Sequence, residues 1–126
     1  FASPTVIAGD KSQVYVATHE IAHSWTGNDV TCRNWEHFWL NEGFTVLEER
    51  KVSAKLHGKD FAMVEALLGN SSMYTDMINY GMKNPFSSLH PTLDGASPDD
   101  AFSTIPYDKG FQLLYFMESL VGEDNF

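Results

Sequence analysis

Residues 12–25 have the sequence Ser-Gln-Val-Tyr-Val-Ala-Thr-His-Glu-Ile-Ala-His-Ser-Trp. Apolar side chains recur in this segment at Val14, Ala17 and Ile21, which is the spacing of one face of an α-helix. Gly27 follows shortly afterwards, where a helix would stop. We therefore predict a helix over residues 12–25.

An H-E-x-x-H pattern lies inside this predicted helix, at His19, Glu20 and His23. Side chains four residues apart stand one above the other on a helix, so both imidazoles can reach one metal ion. Glu20 is a neighbour of His19 in the sequence and does not stack on it. The pattern arises by chance in about one of a hundred chains of this composition, so a helix with two hydrogen-bonded histidines is the alternative.

A third metal ligand is needed, because zinc in hydrolases takes three protein ligands and keeps one position for water. Glu42 is the candidate, since the eighteen residues between it and His23 are enough for a turn, a crossing and a return. Two neutral histidines and one carboxylate leave the ion with a net positive charge, which lowers the pKa of bound water to near neutrality. Glu20 can then accept that proton and pass it to a leaving amine.

The rest of the chain is predicted to be mainly helical. Apolar periodicity and capping residues indicate four further helices, over residues 40–57, from Asp60 through Leu68, from Ser71 or Ser72 to Gly81, and from near Asp108 to Gly122. Dense proline and glycine between Gly81 and Pro106 predict a long loop. Only residues 1–8 and 30–32 are candidates for extended structure.

Composition limits the class of protein. The 126 residues suffice for one domain, and a hydrophobic content of 43% excludes a disordered or collagen-like chain. Eight Lys and Arg against seventeen Asp and Glu give a net charge of −9, so neither nucleic acid nor a membrane surface is expected as a partner. Cys32 is the single cysteine, which excludes an internal disulfide and favours a cytoplasmic location. Because the chain begins with Phe1 and ends directly after a helical pattern, we expect it to be part of a longer polypeptide.

The run from His19 to Phe44 resembles the zinc-binding signature of the gluzincin aminopeptidases. It contains His-Ser-Trp-Thr-Gly-Asn at 23–28 and Trp-Leu-Asn-Glu-Gly-Phe at 39–44. Segments 8–12, 99–103 and 105–110 are similar to the leukotriene A-4 hydrolase and fungal aminopeptidase subfamily. The resemblance implies the helical portion of a thermolysin-like zinc metallopeptidase catalytic domain. Residues 1–126 would then form a single partial domain, without the N- and C-terminal domains of the parent chain.

The resemblance also implies roles for individual residues. His19, His23 and Glu42 match the zinc ligands of the family, with one zinc ion per chain, and Glu20 matches the general base. Tyr107 matches a tyrosine that donates a hydrogen bond to the tetrahedral oxyanion.

Asp99 matches an acidic residue that places water during epoxide opening in leukotriene A-4 hydrolases. Phe102 departs from the mammalian-type members, which carry a second tyrosine at that position.

Several residues have a second interpretation. Glu49 lies two helical turns after Glu42 and could accept a hydrogen bond from a ligating imidazole, or it could be a solvated residue. Without the resemblance, Tyr107 would be an aromatic residue that packs where a helix begins, and Asp99 a turn or capping residue. The three tryptophans at positions 25, 35 and 39 could line a substrate cleft, but core packing is the favoured role for at least two of them.

The predicted reaction is hydrolysis of N-terminal peptide bonds in peptides that have a free amino terminus. Two alternatives stay open. The parent protein could hydrolyse a lipid epoxide in addition or instead, or the chain could be a zinc-binding piece that is catalytically silent by itself. Apolar helix faces exposed to solvent would favour the silent piece.

Overall fold

The computed structural model describes residues 1–126 and consists of four α-helices joined by loops and short 3-10 turns. The helices are α1 (Val14–Ala22), α2 (Phe38–His57), α3 (Lys59–Tyr80) and α4 (Ile105–Val121). There is no β-strand, and the only ladder-type contact is an isolated bridge between residues 26 and 30. The mainly α-helical prediction is confirmed. None of these helices has the combination of length and hydrophobicity that crossing a membrane requires.

Gly58 separates α2 from α3. Its φ of 96° lies in the region that glycine adopts without strain, and its N–H donates to the carbonyl of Ala54. The predicted stop of the helix at Gly58 is therefore confirmed. Asp60 lies in the first turn of α3 and is not the residue that caps it.

The prediction of two helices between Asp60 and Gly81 is wrong, because α3 is continuous from Lys59 to Tyr80. Glycine and two serines in the middle suggested a break and a new cap. In the structure, Gly69 lies where α3 passes a buried ion pair, and an added Cβ would overlap the side chains of Arg50 and Asp108. Packing against α2 and α4 therefore outweighs the low helix propensity of this segment.

The bounds of the other three helices also differ from the prediction. α2 begins at Phe38, two residues before Leu40. α1 ends at Ala22, with His23 as the residue that follows it, and it begins at Val14. α4 begins at Ile105, three residues before Asp108. Asp76 on α3 accounts for the earlier start, because its Oδ2 accepts hydrogen bonds at 2.8 Å from both the N–H and the hydroxyl of Thr104.

The proline-rich segment between α3 and α4 contains only two short 3-10 turns, Pro85–Ser87 and Pro98–Ala101. Tyr80 holds the end of this segment, since its hydroxyl lies 3.0 Å from the carbonyl oxygen of Asp100 and 3.1 Å from that of Phe102. The first eight residues contain a 3-10 turn and no strand, so the extended structure considered for them is not found.

The main core lies between α2 and α4. It is formed by four buried side chains, Val46, Leu47, Phe111 and Leu114. The two helices approach closely where glycines face each other. A Cβ on Gly43 would lie 2.9 Å from the Cα of Gly110, and a Cβ on Gly110 equally close to the Cα of Gly43.

We predict that Gly43→Ala destabilises the protein by about 1–3 kcal/mol, because the new methyl group meets backbone atoms that cannot rotate away. Replacing glycine by alanine within a helix ordinarily increases stability, so a decrease would point to the close contact between the helices. Urea unfolding followed by circular dichroism measures the effect. Ser71→Ala, at an exposed position of α3, is the control and should change stability by less than about 0.5 kcal/mol. If Gly43→Ala were as stable as the unsubstituted protein, the close contact between Gly43 and Gly110 would be contradicted.

Candidate metal centre

Three potential ligands converge between α1 and the first turns of α2. The imidazole rings of His19 and His23 have centroids 4.7 Å apart. Glu42 is buried, and its Oε2 lies 3.1 Å from His19 Nε2 and 3.3 Å from His23 Nε2. The ligand atoms of all three residues lie within 4.8 Å of one another.

The separations between Glu42 and the two imidazoles fit a tetrahedral metal ion. Nitrogen and oxygen ligands at about 2.0–2.2 Å from zinc are separated from each other by about 3.4 Å. The observed 3.1 and 3.3 Å between the carboxylate of Glu42 and the two imidazoles are close to this value. Two imidazoles with one carboxylate are also a donor set that zinc accepts. His19, His23 and Glu42 are therefore possible ligands of one metal ion.

The second nitrogen of each imidazole is held by an acceptor. His19 Nδ1 lies 2.9 Å from Glu49 Oε2, and His23 Nδ1 lies 3.0 Å from the carbonyl oxygen of Thr26. A carboxylate and a carbonyl oxygen can only accept, so Nδ1 carries the proton in both rings. Nε2 of each ring faces Glu42 and is therefore the nitrogen that would bind a metal ion, in place of the proton that His19 carries there without one.

Glu49 therefore contacts His19, and the alternative that its side chain is solvated is not found. The Thr26 carbonyl was missed by the sequence analysis. It belongs to the turn after α1, where Gly27 passes so close to His23 that an added Cβ would lie 2.9 Å from Nδ1. The sequence signal for this contact is the glycine four residues after the second histidine, which also predicts the end of the helix.

The carboxylates give the site a strong preference for positive charge. Burial disfavours the charged imidazolium, but hydrogen bonds and charge from Glu42 and Glu49 outweigh it and raise the pKa of His19 to about 9. The same negative potential attracts a divalent cation. The electrostatics and the donor geometry therefore agree.

Glu20 lies outside the group of converging ligands. Its side chain is 31% exposed. The carboxylate is thus open to groups that approach from outside, while the adjacent His19 is part of the ligand set.

Tyr107, in the first turn of α4, packs beside the ligands. Its ring is stacked against that of His19, with an angle of 25° between the planes and centroids 6.0 Å apart. The same ring is nearly perpendicular to that of Phe38, with centroids 5.9 Å apart. Burial, followed by the charges of Glu42 and Glu20, raises the pKa of its phenol well above the usual value. Tyr107 therefore keeps its proton and can donate a hydrogen bond. It also packs as an aromatic residue, so the two interpretations are compatible.

Two cavities of about 450 Å³ each lie beside the site. His19, Glu49 and Tyr107 line one of them. Asp99 lies in the wall of the other, and the ring of Phe102 contributes to both. The structure therefore does not place Asp99 in the cavity that contains His19.

The tryptophans differ from the expectation of core packing. Trp25 and Trp35 are each 61% exposed, and Trp39 alone packs against the main core. Trp35 and Trp39 line the cavity that contains Asp99. The prediction that at least two tryptophans serve the core is wrong, because Trp25 lies on the exposed surface and Trp35 lines an open apolar recess.

Comparison with known proteins places these features in a family. Residues 3–126 match the peptidase family M1 domain. A leucine aminopeptidase 2 from Emericella nidulans is 48% identical over 126 residues, which are all of this chain and 20% of that protein. A leukotriene A-4 hydrolase homolog from Botryotinia fuckeliana is 47% identical over 98% of this chain and 19% of its own length.

The structure of yeast LTA4 hydrolase in complex with bestatin superposes with a TM-score of 0.91 at 46% identity, over 97% of this chain and 20% of that one. The chain therefore spans about a fifth of the length of these relatives. Because the domain match extends from residue 3 to residue 126, the chain belongs to peptidase family M1.

Proposed function

We propose that the chain carries the zinc site and the proton-transfer groups of an aminopeptidase, with one zinc ion per chain. The substrates would be peptides with a free amino terminus, cleaved at the N-terminal peptide bond. The observation that carries the proposal is the convergence of His19, His23 and Glu42 within 4.8 Å. Membership of peptidase family M1 and the names of the leucine aminopeptidase relatives support it.

The proposed mechanism divides the chemistry between the ion and the protein. When bound, zinc supplies Lewis acidity that lowers the pKa of water and polarises a peptide carbonyl. Glu20 takes a proton from the attacking water and passes it to the leaving amine. Its partial exposure next to His19 suits a group that must meet both water and substrate.

Tyr107 would stabilise the charge that develops on the substrate oxygen. Because its phenol stays protonated, it can donate a hydrogen bond to that oxygen, and one such donor is typically worth about 3 kcal/mol. Glu49 and the carbonyl of Thr26 would keep the two imidazoles in the orientation that the site needs.

The proposal extends to the whole protein. Residues 1–126 would be one part of a catalytic domain, and other parts of the parent chain would cover its apolar faces and bind the substrate's amino terminus. Exposed apolar side chains on α3 and α4 support this, with Leu68 65% and Leu120 68% exposed. A location in the cytoplasm is part of the same proposal, supported by the single cysteine.

The silent zinc-binding piece stays an alternative for the isolated chain, which the exposed apolar faces favour. A chain that binds zinc alone but shows no turnover would support it. Tests of catalysis therefore need the full-length protein.

We predict that the full-length protein retains about one zinc per chain and that His23→Ala loses most of it, because one of three ligands is gone. Elemental analysis after purification measures this. His57→Ala, at the end of α2, is the control and should keep its zinc. Retention of zinc by His23→Ala would contradict the ligand assignment.

We predict that Glu20→Gln keeps its zinc and loses at least about a hundredfold in kcat on a leucine anilide substrate, because the amide cannot accept a proton. Glu123→Gln, whose side chain is 80% exposed, is the matched control and should be fully active. If Glu20→Gln kept more than about a tenth of the rate, general-base catalysis by Glu20 would be excluded.

A second activity, hydrolysis of a lipid epoxide, is a candidate because of the second cavity. Its walls include Trp35, Phe38 and Phe102, which suit an apolar chain, and Asp99 supplies the one carboxylate of the lining. The relative from Botryotinia fuckeliana bears the name leukotriene A-4 hydrolase homolog. Asp99 would position the water that attacks a carbon remote from the metal.

We predict that Asp99→Asn spares most peptidase turnover and abolishes stereospecific diol formation from a conjugated lipid epoxide. Chromatography of the products measures the second activity. Asp100→Asn, at the neighbouring exposed position, is the control and should preserve both activities. Equal losses of both activities in Asp99→Asn would make Asp99 a structural residue, and a parent that forms no diol would be an aminopeptidase only.

A further inference from the structure

Arg50 and Asp108 form a buried ion pair that joins α2 to α4 beside the candidate site. Arg50 Nη2 donates to Asp108 Oδ1 at 2.6 Å, and each side chain is only 10% exposed. Each member is next in sequence to a residue of the site. Glu49, which holds His19, precedes Arg50, and Tyr107 precedes Asp108.

The pair has little room to move. The guanidinium of Arg50 lies over the ring of Phe111, 4.1 Å from its centroid. On another side, α3 passes at Gly69, where any Cβ would overlap both charged groups. Arg50 and Asp108 are therefore enclosed between three helices in one geometry.

The pair is poorly explained as a source of stability. The Nε and Nη1 atoms of Arg50 are buried without a hydrogen-bond partner, so Asp108 is the only acceptor for this guanidinium. A buried ion pair with unsatisfied donors gains little over apolar packing, because desolvation of the charges offsets their attraction. What such a pair does supply is a fixed relative position for the two helices.

Tyr107 depends on such external restraints. Its hydroxyl makes no hydrogen bond within the chain, so its place is set by ring packing and by the backbone of α4. That backbone is fixed at three points: Thr104 is bound by Asp76, Asp108 by Arg50, and Gly110 lies against Gly43. Asp108 is the fixed point nearest to Tyr107.

We infer that Arg50 and Asp108 are a positioning pair for Tyr107, which sets the phenol at its distance from His19 and so determines how well it can donate to a substrate. The kinetic consequence rests on the proposed aminopeptidase function. The structural consequence does not.

The chain offers a matched control pair. Lys51 and Glu118 also join α2 to α4 by an ion pair, and the Glu118 side chain is 10% exposed, as is that of Asp108. Lys51 is the residue after Arg50, but Glu118 lies ten residues beyond Asp108 on α4. Glu118→Gln thus removes an ion pair between the same helices without releasing the neighbour of Tyr107.

The first test compares crystal structures of full-length Asp108→Asn and Glu118→Gln. The separation of 6.0 Å between the rings of His19 and Tyr107 should increase by about 1 Å in Asp108→Asn, a displacement large enough to impair catalysis. It should stay unchanged in Glu118→Gln. An unchanged separation in Asp108→Asn would overturn the inference.

The second test is kinetic. Asp108→Asn should lower kcat by about tenfold or more, with KM changed less than about twofold and zinc content unchanged. Tyr107→Phe alone should lower kcat about a hundredfold. In the Tyr107→Phe background, Asp108→Asn should cost less than about threefold, because the group it positions is absent. The same fold-loss in both backgrounds would show that Asp108 acts in another way.

A further variant guards against a folding defect. The double variant Arg50→Met with Asp108→Leu removes both charges, so no unpaired charge is left in the core. It should fold and show the same displacement of Tyr107. A parent without peptidase activity would contradict the proposed function, whereas the crystal structures would still decide the positioning role.

Discussion

The close crossing of α2 and α4 is the constraint on which the rest of the structure depends. Two glycines face each other there, and a Cβ on either would come within 2.9 Å of the other's backbone. Gly43 directly follows Glu42, and Gly110 lies one helical turn after Tyr107. The crossing therefore brings the carboxylate of Glu42 and the phenol of Tyr107 to the same side of α1. With any larger residue the helices would separate, and Tyr107 would move away from the histidines.

The charges around His19 add a second constraint to the one that the helix crossing imposes. Glu42 and Glu49 approach opposite nitrogens of one imidazole ring, and together they raise the pKa of His19 to about 9 against the effect of burial. Such an arrangement costs stability unless a positive charge is present, because two buried carboxylates lie close together. The two carboxylates therefore repel each other at a place where a bound cation would offset the repulsion. Charge, ring orientation and ligand spacing all favour the same occupant.

The four helices contribute differently to the candidate site. α1, α2 and His23, the residue that follows α1, supply every candidate ligand and Glu20, so a metal site needs only these two helices and the turn between them. α4 supplies Tyr107, and α3 supplies none of the reacting groups. α3 instead holds α4 in place through Asp76 and through the space left at Gly69. A helix remote from the chemistry can therefore influence it through the position of one phenol.

The sequence alone determined the local features, because they depend only on neighbours along the chain. The four-residue spacing of His19 and His23 places both imidazoles on one face of any helix, and Gly58 ends α2 through its own backbone freedom. Only the tertiary structure decided that α3 continues through Gly69 and that Asp99 lies outside the cavity of His19. These features depend on contacts between residues far apart in sequence, and neither periodicity nor capping residues encode which helix faces meet.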